Sequence, residues 1–345
     1  MEKKILLIPG DGIGPEVTEQ ARKVLEAVTW NTEQTLTFDY GSVGKSGIEK
    51  FGDPIPAQTV EAALESDAII IGTIGIPNPG SEYLADVPDK YLVEFWNKLH
   101  LHTRSISIDI PPKFGTIPEK TDFQERQVTI FQNLPDWPLT KQQNTLDNAL
   151  DAAKVEHGRL IYTFNPESKA MYSYWDRQVS EGLKIYEFVD ARKFIVATAC
   201  GEVFTCPEKY TAILSDYETG NRLCNKLVGF FENEGFVPTC AQGELFQVFG
   251  PLQNSHPELE GKNLANPIGS ILAAAGVLSA LDMDDEADLV YKAVAWVIEN
   301  GYVFKDLKHN IRYGTTEVGG AIVGRVLQLI YDDNSTVGSG EASTK

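Results

Sequence analysis

Apolar residues recur along this chain in two rhythms. Lys4–Ile8 is a short continuous apolar run ending at Pro9-Gly10, the pattern of a buried strand followed by a turn. From Pro15 to Val28 the apolar positions fall at 17, 21, 24, 25 and 28, a helical stripe with a proline at its start. Thr35–Val43 alternates as a strand, Pro56–Leu64 predicts a helix, and Ala68–Ile71 a buried strand closed by Gly72. Such alternation of strand and helix implies a largely parallel sheet. A loop begins at Pro77, Pro79 and Gly80, and Pro88–Leu99 reads as a helix.

The middle is less regular. Arg104–Ile110, Gln127–Gln132, Leu160–Phe164, Lys193–Ala199 and Ala212–Leu214 read as strands; Thr140–Glu156, Glu167–Ser180 and Gly220–Phe231 read as helices. Three helices follow over roughly 267–281, 285–299 and 315–331, and the Ser/Gly/acidic segment 332–345 reads as a disordered tail because it has too little apolar surface to order itself. No internal repeat is visible.

At 345 residues the chain is long enough for two domains or one large α/β unit, and its 42% hydrophobic and 23% charged positions are those of a soluble globular protein. No run of 18 apolar residues is present, which argues against a membrane span. The opening segment lacks the longer apolar core of a signal peptide, so a cytoplasmic protein is expected. Cysteines at 200, 206, 224 and 240 form no CxxC pair, so neither a zinc site nor a disulfide framework is indicated. The net charge of −19 disfavours nucleic acid and anionic membranes as partners, since phosphate contacts need a basic patch.

Gly10-Asp-Gly-Ile-Gly14 lies between a strand and a helix. Glycines there let backbone amides approach a pyrophosphate, but the third comes one residue early, and the same glycines serve a tight turn with positive φ equally well. His100 and His102 would share one side of a strand and suit a transition metal, or stand as surface histidines. Tyr162, Tyr172, Tyr174, Trp175 and Tyr186 suggest core or dimer-interface packing rather than a ligand cage. There is no Gly-x-Ser-x-Gly and no HExxH to mark a hydrolase.

Ile8-Pro-Gly-Asp-Gly-Ile-Gly-Pro-Glu-Val17, Tyr40-Gly-Ser-Val-Gly-Lys-Ser-Gly-Ile48, Ile69-Ile-Ile-Gly-Thr-Ile-Gly-Ile-Pro77 and Gly261-Lys-Asn-Leu-Ala-Asn-Pro-Ile-Gly-Ser-Ile-Leu272 together resemble the β-decarboxylating hydroxyacid dehydrogenases, the isopropylmalate and isocitrate dehydrogenases. The resemblance spans roughly 1–100 and 240–330. It implies an isopropylmalate dehydrogenase-like α/β fold of two domains, with a mixed, mostly parallel sheet and flanking helices. The large domain is expected from 1–100 plus 241–345, and a smaller one from 101–240 that carries a dimer contact. A homodimer, or a heteromer with a related subunit, is the expected assembly.

The same resemblance places Glu258 on the acidic position that holds the adenosine ribose, Asn266 on the adenine contact and Asp306 on a third cofactor position. It thereby implies NAD, with the anion at 258 opposing a 2′-phosphate. Gln253 and Asn254 stand where the family has a glycine pair. The family's oxidation also needs arginines to clamp carboxylates, a divalent metal to stabilise the enolate, and a lysine and a tyrosine to move protons. Trp96 and Ile106 fall on two arginine positions, with Arg104 and Arg126 as candidate substrate contacts. Asn133 falls seven residues after Arg126, where the tyrosine is expected, and Asn165 falls on the lysine. Ala197, Asn221 and Asn225 replace the metal-binding aspartates, which speaks against Mg²⁺ or Mn²⁺, hard ions that want anionic oxygen. Asp216 and Glu218 are the nearby acids that could rescue a weaker site.

Three functions follow. The chain is a divergent member without the family's metal-dependent chemistry, kept as a regulatory, scaffolding or small-molecule-binding protein. Alternatively it is an active NAD-dependent oxidoreductase on a modified hydroxy acid, with Arg104, Arg126, Asp216 and Glu218 recruited. Or its cleft serves another activity in a specialised pathway.

Overall fold

The computed structural model describes residues 2–75, 87–109, 127–135, 137, 143–154, 158–164, 169–206, 209–231, 235–301 and 313–340. In chain order the strands are β1 (Glu2–Gly10), β2 (Thr35–Tyr40), β3 (Ala68–Thr73), β4 (Leu101–Asp109), β5 (Gln127–Asn133), β6 (Arg159–Thr163), β7 (Asp190–Lys193), β8 (Tyr210–Asp216), β9 (Pro238–Gly243) and β10 (Gln247–Pro251). The helices are α1 (Gly14–Val28), α2 (Lys45–Phe51), α3 (Ala57–Leu64), α4 (Val87–Lys98), α5 (Gln143–Lys154), α6 (Lys169–Gly182), α7 (Val196–Thr205), α8 (Tyr217–Phe231), α9 (Ile268–Ala280), α10 (Asp284–Glu299) and α11 (Thr315–Gly340). Two compact units emerge, one of residues 1–95 with 248–345 and one of residues 96–247.

In the first unit β1 lies parallel between β2 and β3, and β3 pairs parallel with β10. All six residues of β3 are buried, which is why Ala68–Ile71 reads as a continuous apolar run: a strand in a parallel sheet is covered on both faces. Helix α9 is apolar nearly all round, with ten buried residues, and packs among α1, β3 and α10, as a core helix must.

In the second unit the strand order is β9-β4-β5-β8-β6-β7. Strand β4 runs antiparallel to both β9 and β5, while β5, β8, β6 and β7 are parallel. One face is sealed by Leu146, Ala149 and Leu150 of α5 and by Trp175 of α6, against Phe131 and Leu214. Trp175 stacks on Phe164 at 5.4 Å between ring centroids. The aromatic block thus includes a core ring stack.

Two expectations fail. Lys193–Ala199 is not a strand: β7 ends at Lys193 and α7 begins at Val196. The β-branched run there misleads, but burial of Ala199, Cys200 and Val203 follows helical spacing, and packing overrides propensity. The tail expected to be disordered from 332 continues α11 to Gly340, because extending a packed helix adds one hydrogen bond per residue without a new nucleus; residues 341–345 lie outside the described residues. No helix among the described residues is long and apolar enough to cross a membrane, and the four cysteines are free.

Candidate functional site

The glycine loop between β1 and α1 is occupied with its own backbone. Asp11 N–H donates to Thr73 O (2.7 Å), Ile13 N–H to Ser255 O (2.8 Å) and Gly14 N–H to Asp11 O (3.0 Å). A Cβ on Gly12, at φ +58°, would lie 2.0 Å from Ser255 O. The buried Asp11 carboxylate accepts from the backbone N–H groups of Gly75 (2.8 Å), Ser46 (2.9 Å) and Lys45 (3.0 Å). Burial pushes this carboxyl above its usual range, against the pull of those three donors. Of the two readings of the glycines, close backbone packing is the one that the geometry favours.

The segment after β10 is anchored in the same way. Asn263, at φ +59°, donates its N–H to Glu16 Oε2 (3.2 Å) and accepts from Thr315 N–H at its carbonyl (3.1 Å) and from Thr316 N–H at Oδ1 (2.9 Å). It ties the starts of α1 and α11 together. Asn266 is buried; its Oδ1 accepts from Ile268 N–H, at the first residue of α9, at 3.1 Å, and its Nδ2 is buried without a hydrogen-bond partner. Glu258 is exposed, 2.9 Å from His256 Nδ1. Its own backbone N–H, and then His256, hold its carboxyl below the usual range. Glu258 and Asn266 thus offer an anion and an unpaired buried donor. Asp306 lies outside the described residues.

In the second unit, register assembles a cluster that no local motif announces. Arg104 on β4 sits opposite Gln132 on β5, Gln132 is beside Ser215 on β8, and Ser215 is beside Thr163 on β6. Register partners share a sheet face, so these four form one transverse row. All four are buried, and Arg104 is only 6% exposed. Above the row, Asn221 in the first turns of α8 accepts at Oδ1 from Gln132 Nε2 (3.1 Å) and Arg104 Nη1 (3.4 Å). Gln132 Nε2 also lies 3.4 Å from Tyr217 O. Gly220 leaves room for that amide, since a Cβ there would lie 2.3 Å from Gln132 Nε2. The Arg104 guanidinium lies 5.4 Å from the centroid of the Trp96 ring, a cation–π distance.

Arg104 and Asn221 are therefore brought together. Asn225 is exposed, as is Ala197 at the start of α7. Trp96, Ile106 and Asn133 are buried. Asp216 caps α8 through Thr219 N–H at 2.9 Å, and the exposed Glu218 faces Arg222 at 3.8 Å. Arg126 and Asn165 lie outside the described residues. The histidines do not share a strand face: His100 has φ +56° and precedes β4, whereas His102 is buried, with Nδ1 3.1 Å from Thr103 Oγ1 and Nε2 3.2 Å from Asn144 Nδ2. Among the described residues no three His, Cys, Asp or Glu side chains are grouped to hold a metal. Gln132 and Gly220 escape a reading of the sequence, because a lone amide and a lone glycine carry no spacing signal; alternation along Gln127–Gln132 would have put Gln132 on the face of Ile130.

The family model for isocitrate/isopropylmalate dehydrogenase matches residues 4–106 and 144–322. The 3-isopropylmalate dehydrogenase of Bacillus licheniformis is 26% identical over 97% of this chain and 98% of its own length. That of Thermotoga maritima is 27% identical over 94% and 99%. In fold, the chain is similar to a β-decarboxylating dehydrogenase from Thermococcus kodakarensis (TM-score 0.77, 23% identity, 96% of this chain and 98% of that one). It is likewise similar to isocitrate dehydrogenase from Methylococcus capsulatus (TM-score 0.78, 22% identity, 94% and 100%). With most of its length matched by one model, the chain belongs to the isocitrate/isopropylmalate dehydrogenase family.

Proposed function

We propose that this chain is a family member without metal-dependent oxidative decarboxylation, serving as a small-molecule-binding protein in a regulatory or scaffolding role, as a homodimer or beside a related subunit. The observation that carries this reading is the state of Asn221. Its side-chain oxygen already accepts from an amide and a guanidinium, so a divalent cation there would meet a neutral ligand and a fixed positive charge. Ala197 supplies a methyl group and Asn225 an exposed amide. Magnesium and manganese want anionic oxygens, and these residues do not fit them.

The first unit fits a dinucleotide better. The buried, unpaired Nδ2 of Asn266 suits a ring nitrogen of adenine, and the exposed Glu258 carboxylate suits ribose hydroxyls while repelling a 2′-phosphate. NAD would supply a hydride acceptor, and Asn266 and Glu258 would hold its adenosine half.

The test is direct. Purified protein is given 3-isopropylmalate, isocitrate or malate with NAD and Mn²⁺, and NADH is followed by absorbance. No turnover is expected, while NAD raises the melting temperature more than NADP does, because a ligand of the native state stabilises it. Manganese-dependent NADH production defeats the proposal.

A further inference from the structure

We infer that His256 makes the coenzyme preference of this chain depend on pH: the neutral ring leaves Glu258 as an anion that opposes a 2′-phosphate, and the protonated ring cancels that anion and admits the phosphate. This rests on the reading above, that Glu258 holds the adenosine ribose. His256 Nδ1 lies 2.9 Å from Glu258 Oε1. An ionised carboxylate only accepts, so the proton between them belongs to Nδ1. The turn that presents the two side chains is pinned at both ends. Ser255 is buried, and its carbonyl accepts from Ile13 N–H at 2.8 Å. Leu259 N–H donates to His256 O at 2.8 Å, and the Leu259 side chain packs against Ile13, Val17 and Ala265. Between these anchors His256 stands at φ +40°. Histidine enters this left-handed region more readily than most side chains, and such a conformation persists only where the surroundings hold it. The anchored backbone therefore sets the ring beside the carboxylate.

Histidine ordinarily changes its charge between about pH 5 and about pH 8. The Glu258 carboxyl, held below its usual range, stays an anion across that window. At the upper end the pair carries one negative charge; at the lower end it carries none. Lys262 is the other charged group that acts on Glu258, and the exposed Glu260 stands between them in the chain. On the segments packed against the turn, Asp11 is committed to the N–H groups of Lys45, Ser46 and Gly75, and Glu16 accepts from Asn263 N–H. Within residues 255–262, His256 is thus the side chain whose ordinary titration falls in the window. A ribose hydroxyl can still donate to Glu258 in either state, because a carboxylate has about four lone-pair sites and the ring uses one. A 2′-phosphate instead brings a charge of about −1.5 to −2 at neutral pH. One unit of protein charge near it changes affinity about fivefold in bulk water, and more where solvent is partly excluded. The neutral hydroxyls of NAD feel that unit far less.

The test is calorimetric binding of NAD and of NADP to the purified protein at constant ionic strength, from about pH 8 to about pH 5.5. The preference for NAD over NADP should shrink as pH falls. Part of that change comes from the ligand, since the 2′-phosphate itself takes a proton near pH 6. His256→Asn removes the protein's part with a residue that also tolerates the left-handed region, and its preference should shrink about fivefold less, or more than fivefold less, than that of the wild type. A second readout follows the histidine ring signals by NMR, with the His256 signal identified by its loss in His256→Asn and its displacement in Glu258→Gln. By reciprocity NADP should raise the pH at which that ring titrates, while NAD leaves it nearly unchanged. NAD binding with the same pH dependence of preference in wild type and His256→Asn, or a His256 titration that NADP does not move, overturns the inference alone. Absence of NAD binding at every pH, or a preference for NAD that Glu258→Gln leaves intact at about pH 8, overturns the assignment of the ribose to Glu258 and the inference with it.

Discussion

Gly12→Ala is the sharpest test of what the glycine loop does. Gly12 sits at φ +58°, and a Cβ there would be 2.0 Å from Ser255 O and 2.8 Å from its carbonyl carbon. An L-residue in the left-handed region loses about 1–2 kcal/mol. The clash is with backbone, so relief requires one of the two segments to retreat by about 1 Å, a small-to-large change worth roughly 1–3 kcal/mol. That retreat also strains the 2.8 Å bond from Ile13 N–H to Ser255 O, whose loss in a buried setting costs about 1–3 kcal/mol. The sum is about 3–8 kcal/mol, a large share of the stability of a typical domain. Gly52→Ala is the internal control. It lies in the same unit at φ +72°, but nothing stands within 4 Å of the point its Cβ would occupy, so only the left-handed penalty of about 1–2 kcal/mol applies. Urea unfolding of both variants by circular dichroism compares them under one set of conditions, and their difference cancels much of what is common to the unit. Equal losses in the two variants would refute the claim that steric closeness, rather than φ alone, demands Gly12.

In the second unit, Trp175→Ala removes a fully buried ring stacked on Phe164 and should destabilise by about 3–5 kcal/mol, read as a fall in urea midpoint; a shift under about 1 kcal/mol, the size of an ordinary surface change, would mean that the stack does not hold this core. Cys224 is buried and Cys240 partly buried, and desolvation pushes both thiols up to about 12, with Arg104 pulling Cys224 the other way. A thiol reagent at a pH of about 8, near the ordinary thiol range, should therefore leave the buried Cys224 unmodified in the native protein and label the partly buried Cys206 before it; mass spectrometry of the labelled peptides decides.

Much of the fold is legible because its signals are local. The apolar run of β3 and the stripe of α1 are set by two-sided and one-sided burial, which the spacing of Ile, Val and Leu records. Lys193–Ala199 is not legible, since a β-branched run there is turned helical by the packing of Ala199, Cys200 and Val203. Arg104 stands out as a cation in a strand, but its partner Asn221 is 117 positions away, and only the register of β4 on β5 brings the two together. The role of Gln132 depends on that register and on the missing side chain at Gly220, neither of which a single sequence displays. Asp11, by contrast, is conspicuous in the sequence, yet its carboxylate is consumed by three backbone amides.

The bond from Arg104 to Asn221 also limits how this lineage can change. An aspartate arising at 221 would face a guanidinium already in place at hydrogen-bonding distance and would form an ion pair with it, neutralising the new charge before any incoming ion could use it. Loss of the arginine would leave Gln132 Nε2 as the remaining side-chain donor to residue 221. Substitutions at 104 and 221 are therefore coupled, and the effect of either depends on the residue that stands at the other.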